Sequence, residues 1–335
     1  MNLFRRYPIA FVLTAFAFLL AVCLVAPLIG SQKLNFSEAW RYFSGVRTAD
    51  GVIFFQVRLP RVLLAVITGA GLSLAGVVFQ ALLRNPLATP YTLGVSSGGA
   101  LGALIVIKFG WDFVGLGFSA VQLAAFVGSL TTIFFVFLLS RRFGRLSIHI
   151  MILAGVTLSY VFSAMILILH YLADFTETQQ MIRWMMGGLD IVNYGQITRS
   201  LPLLLLSILA LLSMGRSFNL ISTSEESAMS KGVAVAQIQK GAFIFASLIT
   251  GTVVALSGPI GFVGLIVPHF LRLIAGPDHR YLMPASIFFG GAFLAAADTV
   301  ARTILAPIDL PVGIITALMG GPFFLYLLIR QKPRF

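Results

Sequence analysis

The chain has 335 residues, of which 59% are hydrophobic and only 10% charged. Soluble domains carry about 25% charged residues, and so few charges could not cover a sphere of this size. With a mean hydropathy of +0.98, this excludes a soluble enzyme, a disordered chain and a collagen-like fibre, and leaves a polytopic membrane protein. The formal net charge is +12. Its basic residues are scattered singly between apolar runs, with no aromatic-interleaved patch, so the excess points to loop charges that orient a membrane protein and not to nucleic acid. The single Cys23 lies inside an apolar run, which excludes an internal disulfide, a CxxC redox site and a cysteine-based zinc site.

Crossing about 30 Å of hydrocarbon as a helix takes roughly 20 uncharged residues. In chain order, the uncharged runs cover residues 7–32, 62–83, 85–107, 113–140, 146–173, 200–215, 241–271, 281–297 and 310–329. Arg5 and Arg6 before the first run imitate a signal peptide. The run is longer than a signal h-region and has no clean small-x-small cleavage site, so an uncleaved first helix is expected. The run 241–271 is too long for one crossing and contains Gly258-Pro259, Gly261 and Gly264. Glycine and proline at that density break a helix, which splits the run into 241–262 and a shorter piece ending near Ala275. The expected fold class is an all-α integral membrane protein with ten transmembrane helices.

Ten crossings place both termini on one side, together with Arg84, the Arg141/Arg142/Arg145 group, Arg216, Lys231, Lys240, Arg272, Arg280, Arg330, Lys332 and Arg334. The Lys/Arg bias makes that side cytoplasmic. Most acids, including Glu38, Asp50, Asp112, Asp174, Glu177, Asp190 and Asp309, fall opposite. Arg58, Arg61 and Arg302 are expected at the outer face, against the bias. Asp298 stands one helical turn before Arg302, where it can pair with it.

A weak internal symmetry relates the run 69–76 to 251–258, each followed by a proline-containing turn, and Gly98-Gly99-Ala100 to Gly290-Gly291-Ala292. The copies begin on helices two and seven, so they run in opposite directions, as in an inverted repeat. One transmembrane domain over 1–335 is expected, with repeats near 60–173 and 240–330. No GxxxxGK[ST], HExxH or paired acidic motif occurs, and His149, His170, His269 and His279 do not have metal-ligand spacing. They read as helix-end or packing residues. Gly94, Gly98 and Gly102 recur every four residues, which suits close helix packing beside a translocation path.

The cytoplasmic loop 216–240 carries overlapping capping patterns, Ser222-x-x-Glu225 and Thr223-x-x-Glu226, with Gly232 suited to a helix C′ position. A short helix over 224–231 is expected. It is either a solvated connection or a docking element for a cytoplasmic partner.

The motifs Arg58-Leu-Pro-Arg61, Gly69-Ala-Gly71, Gln80, Asn85-Pro86-Leu87-Ala88-x-Pro90 and Leu93-Gly94-Val95-Ser96-Ser97-Gly98 resemble the signature run of the FecCD permeases, the membrane subunits of type II ABC importers for iron-siderophores, haem and cobalamin. Matches continue through Leu153-Ala154-Gly155-Val156, Trp184-Met185-Met186-Gly187-Gly188, the run 258–269, Asp278-His279-Arg280, Ala297-Asp298-x-x-Ala301-Arg302 and Leu310-Pro311-Val312-Gly313. This resemblance implies a homodimer in the prokaryotic inner membrane with its path on the two-fold axis. It also implies two cytoplasmic ABC ATPase subunits, and a periplasmic or lipoprotein substrate-binding protein. ATP and Mg belong to the ATPase, so this chain needs no cofactor of its own and is not an enzyme.

The same resemblance implies binding-protein docking at Arg58, Arg61 and Arg302. It implies ATPase coupling through Ser224, Glu225, Glu226, Ala228, Lys231 and Gly232, and an inner gate at Asn85 and Leu87. Ser224 and Lys231 depart from the family's usual Gly and Leu. A further constriction would fall at Ser147-Ile148-His149, where the family has small hydroxyl residues. The rival reading is a secondary transporter of inverted-repeat type, which needs an intramembrane acid; Asp298 is its only candidate. Iron complexes are the expected cargo, with specificity residing mainly in the binding protein.

Overall fold

The computed structural model describes residues 6–30, 32, 34–42, 45, 47–142, 145–189 and 193–330. Arg5, Asp190, Lys332 and Arg334 lie outside the described residues. The first helix, α1 (Pro8–Val25), is almost wholly apolar and starts on a proline, whose missing amide costs nothing in a first turn. Short helices α2 (Phe36–Arg41) and α3 (Ala49–Val52) follow, the latter capped by the Thr48 side chain. α3 runs through a π turn, Ile53–Arg58, directly into α4 (Leu59–Leu82). Pro60 cannot donate to the carbonyl four residues back, and the π turn absorbs that break.

The chain continues with α5 (Val95–Phe109), α6 (Ala120–Ser140), α7 (Ile148–Leu172) and the amphipathic α8 (Phe175–Met185). A tight hairpin pairing Val114–Gly115 with Phe118–Ser119 separates α5 from α6. Its turn residues Leu116 and Gly117 both have positive φ, 52° and 81°, the conformation that two-residue hairpins require. Next come α9 (Tyr194–Ser213), α10 (Gly215–Thr223), α11 (Glu225–Ser230), α12 (Val235–Ser257), α13 (Val263–Ala275), α14 (His279–Thr303) and α15 (Val312–Arg330).

Among the described residues, seven helical stretches are long and apolar enough to cross a membrane: Pro8–Leu28, Ala49–Leu82, Ala120–Ser140, Ile148–Leu172, Tyr194–Ser213, Val235–Ser257 and His279–Thr303. α5, α13 and α15 are apolar but shorter. The break in run 241–271 is present where glycine and proline predicted it. α12 ends at Ser257, Gly258 takes φ +66°, and α13 restarts at Val263. α12 begins at Val235, earlier than the uncharged run, and takes in Lys240, whose ammonium lies 5.8 Å from the centroid of the Phe137 ring.

α4 is the buried hub, with 83% of its apolar window enclosed. It packs on α14, α12 and α13, and two of its glycines permit the contact. A Cβ at Gly69 would fall 2.2 Å from the Gly290 carbonyl oxygen, and one at Gly76 would fall 1.9 Å from that of Gly264. Such backbone-to-backbone approach brings dispersion contacts that compensate for the absent hydrophobic drive between helices in lipid.

Candidate functional site: the two polar ends of the helix bundle

α4 has 24 residues, which puts its ends about 36 Å apart, and each end carries an ionic cluster. At the C-terminal end the chain leaves α4 through Leu83 and Arg84, the latter at φ +47°, into an exposed turn. Asn85 Oδ1 accepts from the Leu87 amide at 2.9 Å, and the Asn85 carbonyl accepts from Ala88 at 3.0 Å. Ala88 is buried and anchors the turn. Asn85 and Pro86 are exposed and Leu87 is 52% exposed. The expected gate residues thus project from the protomer surface.

The short helix α11 stands against this turn. Ser224 is its cap, with Oγ accepting from the Ser227 amide. Ser222 and Thr223 do not cap it; their hydroxyls donate back to the Asn219 carbonyl inside α10. At the other end Gly232, φ +80°, donates to the Met229 carbonyl while Val233 donates to that of Ala228. This is a Schellman closure with glycine at C′. Ala228 is fully buried with Ile221 and Val235. Glu226, Met229, Ser230, Lys231 and Gly232 are exposed.

Glu225 turns inward. Its Oε1 lies 2.9 Å from Arg84 Nη2 and accepts from Gln239 Nε2 at 3.0 Å. The expected coupling residues therefore divide: Ser224, Glu225 and Ala228 build and fix the helix, whereas Glu226, Lys231 and Gly232 present a surface. Met229 belongs to that surface and was missed. Its placement one residue after buried Ala228, on a helix too short for a visible period, gave no pattern to detect.

Beside this turn Arg272 Nη2 donates to Gln80 Oε1 at 2.6 Å, joining α13 to α4. Asn219 joins α10 to α14: it donates to Asp278 Oδ1 at 2.7 Å, and its Oδ1 accepts from the His279 amide at 2.8 Å. Arg280 and Asn219 together hold the Asp278 carboxyl well below its usual range, at about 2. His279 packs 5.9 Å from the Phe218 ring, and His269 lies edge-on to Phe323 and Phe324. Both match the helix-end and packing roles expected of them. Ser147 precedes α7 half-buried, and His149 is exposed in its first turn.

At the opposite end the expected exposure is corrected: Arg58, Arg61 and Arg302 are 5%, 8% and 5% exposed in the protomer. Arg61 Nε donates to both oxygens of Asp298 at 3.0 and 3.1 Å, and its Nη1 reaches Asp309 Oδ2 at 3.0 Å. Arg302 Nε lies 3.2 Å from Asp298 Oδ2, the pairing its spacing predicted, and its Nη2 donates to the Ala26 carbonyl. Arg58 donates to the carbonyls of Pro27, Leu28 and Gln32. Arginine suits this work because its five donors can satisfy several acceptors at once. The cluster ties the end of α1 to α4 and α14.

The small-residue stripe is corrected as well. Gly94 is not on the helix; it precedes α5 at φ +75° and meets the Gly155 carbonyl of α7. A Cβ at Gly98 would strike Thr132 and the Gly128 carbonyl, and one at Gly102 the Ala124 carbonyl. Gly94 and Gly98 are buried between helices of the protomer.

A bundle of apolar helices with an exposed gate turn tied to a surface helix at one end, and an arginine–aspartate cluster at the other, has counterparts among known proteins. The model of the FecCD transport family matches residues 17–330. The chain belongs to the FecCD transport family. It is 38% identical over 306 residues to the hemin transport system permease protein HmuU of Yersinia pestis, covering 91% of this chain and 90% of that one. It is 41% identical over 290 residues to the cobalamin import system permease protein BtuC of Halobacterium salinarum, covering 87% and 77%. It is 38% identical over 281 residues to the molybdate import system permease protein MolB of Haemophilus influenzae, covering 84% and 82%. Among solved structures, an inward-facing conformation of a metal-chelate type ABC transporter matches with a TM-score of 0.84 and 32% identity over 95% of this chain and 98% of that one. This FecCD protein is thus the multi-span permease subunit of an ABC importer.

Proposed function

We propose that two copies of this permease enclose a path for a metal chelate, carried inward across the prokaryotic cytoplasmic membrane. Two ABC ATPase subunits grip the exposed face of α11, and both termini lie on their side. The carrying observation is the Arg84–Glu225 ion pair. It joins the helix that would meet the ATPase to the turn bearing Asn85 and Leu87, so ATPase closure is felt directly at the gate. ATP and Mg act on the partner; this chain supplies motion, not hydrolysis.

The substrate-binding protein sits at the opposite end, over the Arg58–Arg61–Arg302 cluster. The three arginines shape that surface from beneath, held by Asp298 and Asp309, with Asp50 close enough to act on Arg58. A metal chelate is favoured by the structural likeness over nearly the full chain. Relatives of nearly equal identity carry hemin, cobalamin and molybdate, so overall similarity does not choose among chelates, and ferric siderophore, haem and cobalamin all remain within the class. The secondary-transporter reading loses its one candidate, since both Asp298 oxygens are held by arginines and offer no vacant carboxylate to a coupling ion.

The test is uptake into proteoliposomes containing the permease, its ATPase and its binding protein, with ferric siderophore, haem and cobalamin as cargoes. Uptake of one of them that requires internal-side ATP and the binding protein is expected. Uptake driven by an ion gradient without ATP would instead establish the secondary transporter.

A further inference from the structure

A crevice of about 150 Å³ opens between α6, α9 and α12 beneath the Leu116–Gly117 turn. Its walls are Leu116, Phe118, Leu123, Phe126, Leu203 and Leu256, with Arg199 at the rim. The polar wall residues have spent their hydrogen-bonding capacity inward. Gln122 exchanges amide bonds with Gln196, Ser200 donates to the Ile197 carbonyl, and Thr252 donates to that of Leu248. What remains facing the space is apolar. An apolar crevice of this size suits a short hydrocarbon segment.

Arg199 is the exception to that chemistry. Its guanidinium lies against Gly117, so close that any Cβ there would overlap it. It is exposed, and among the described residues no carboxylate pairs with it. The crevice belongs to the end of the bundle that carries Arg61. Tyr194, at the start of α9, donates its hydroxyl to the Phe55 carbonyl beside Arg58, and Arg199 follows about 7.5 Å further along that helix. An unpaired cation at this end opposes the positive-inside bias, and an anionic group from outside the chain would complete it.

We propose that this crevice is a site for an anionic phospholipid of the outer leaflet, with Arg199 on its phosphate and a segment of one acyl chain between α6, α9 and α12. Charge complementarity selects the headgroup, and the apolar walls select the chain. The proposal does not depend on which cargo the permease carries. A lipid seated there would fill the groove between helices at the bundle's periphery and hold the α5–α6 hairpin in place.

The experiment uses the full-length permease with its ATPase in nanodiscs of phosphatidylcholine containing a minor fraction of phosphatidylglycerol. Lipids retained after transfer to the gas phase are counted by native mass spectrometry. Arg199→Gln is expected to lower retained phosphatidylglycerol about three- to fivefold, the worth of one interfacial cation. Arg199→Lys should keep most of it. Leu203→Trp, which fills the crevice from its open side, should lower retention of phosphatidylcholine and phosphatidylglycerol alike, with an unchanged thermal midpoint showing that the fold survives. Unchanged phosphatidylglycerol retention in both Arg199→Gln and Leu203→Trp would overturn the proposal. So would efficient disulfide crosslinking between copies through Leu203→Cys in a Cys23→Ser background, since a second protomer would then cover the crevice.

Discussion

Arg84 Nη2 and Glu225 Oε1 lie 2.9 Å apart, joining the turn that follows α4 to the helix that follows α10. Each side chain is more than a third exposed, and such a pair contributes only about 0–1 kcal/mol to stability. In the proposed mechanism its role is mechanical. Removing it should leave the fold intact and loosen the link between ATPase and gate. For Glu225→Lys we expect normal insertion and ATPase binding, but several-fold less cargo moved per ATP hydrolysed. Adding Arg84→Glu should restore part of that ratio. A full transport ratio in the single variant would show the pair to be ornamental.

The exposed face of α11 carries the second prediction. Glu226→Lys combined with Met229→Asp should weaken copurification of the ATPase at least tenfold without shifting the permease's thermal midpoint, because neither side chain is buried. Ala228→Glu should instead damage the protomer, since that position is fully enclosed. Copurification unchanged in the Glu226/Met229 variant would move the ATPase contact elsewhere.

The arginine cluster predicts a stability effect. Arg61 supplies three of the contacts that compensate Asp298 and Asp309, and breaking a buried pair costs about 3–5 kcal/mol because the other charge is stranded. Arg61→Ala should therefore lower the midpoint of thermal unfolding in detergent markedly, and Asp298→Asn should lower it further, since it takes a partner from Arg302 as well as from Arg61. An unaltered midpoint with lost binding-protein affinity would return Arg61 to the role of a docking residue.

Gly98 separates packing from pathway roles. A Cβ there would lie 2.7 Å from the Gly128 carbonyl oxygen, a backbone atom that cannot step aside. Gly98→Leu should lower expression and thermal stability together, as overpacking does. A stable Gly98→Leu protein with blocked uptake would place Gly98 on the path after all.

The membrane made most of the architecture legible. Hydrocarbon penalises charge so heavily that the spans could be found between charged residues, and the glycine- and proline-rich stretch at 258–264 broke where it was expected to. Local chemistry was equally legible at Gly232, whose C′ role needs only the adjacent residues, and at Arg302–Asp298, one turn apart. Arg61 with Asp309 and Arg84 with Glu225 were not legible, because each pair is made by the fold between distant parts of the chain. Exposure misled for the same reason. Arginines against the topological bias looked like a surface awaiting a partner, but the acids that hold two of them lay on α14 and just before α15. Gly94 shows a different limit: one residue type serves both helix contact and left-handed caps, and a four-residue spacing cannot tell them apart.

The central claim is that Asn85 and Leu87 form a gate moved by the ATPase. The most direct measurement places a single cysteine at Leu87, with Cys23→Ser, in the complete transporter, and follows disulfide formation between protomers without nucleotide, with ATP trapped, and after hydrolysis. The account predicts crosslinking whose extent changes at least several-fold between these states, and loss of that change in Glu225→Lys. Absence of crosslinking in every state, or the same extent in all of them, would contradict it.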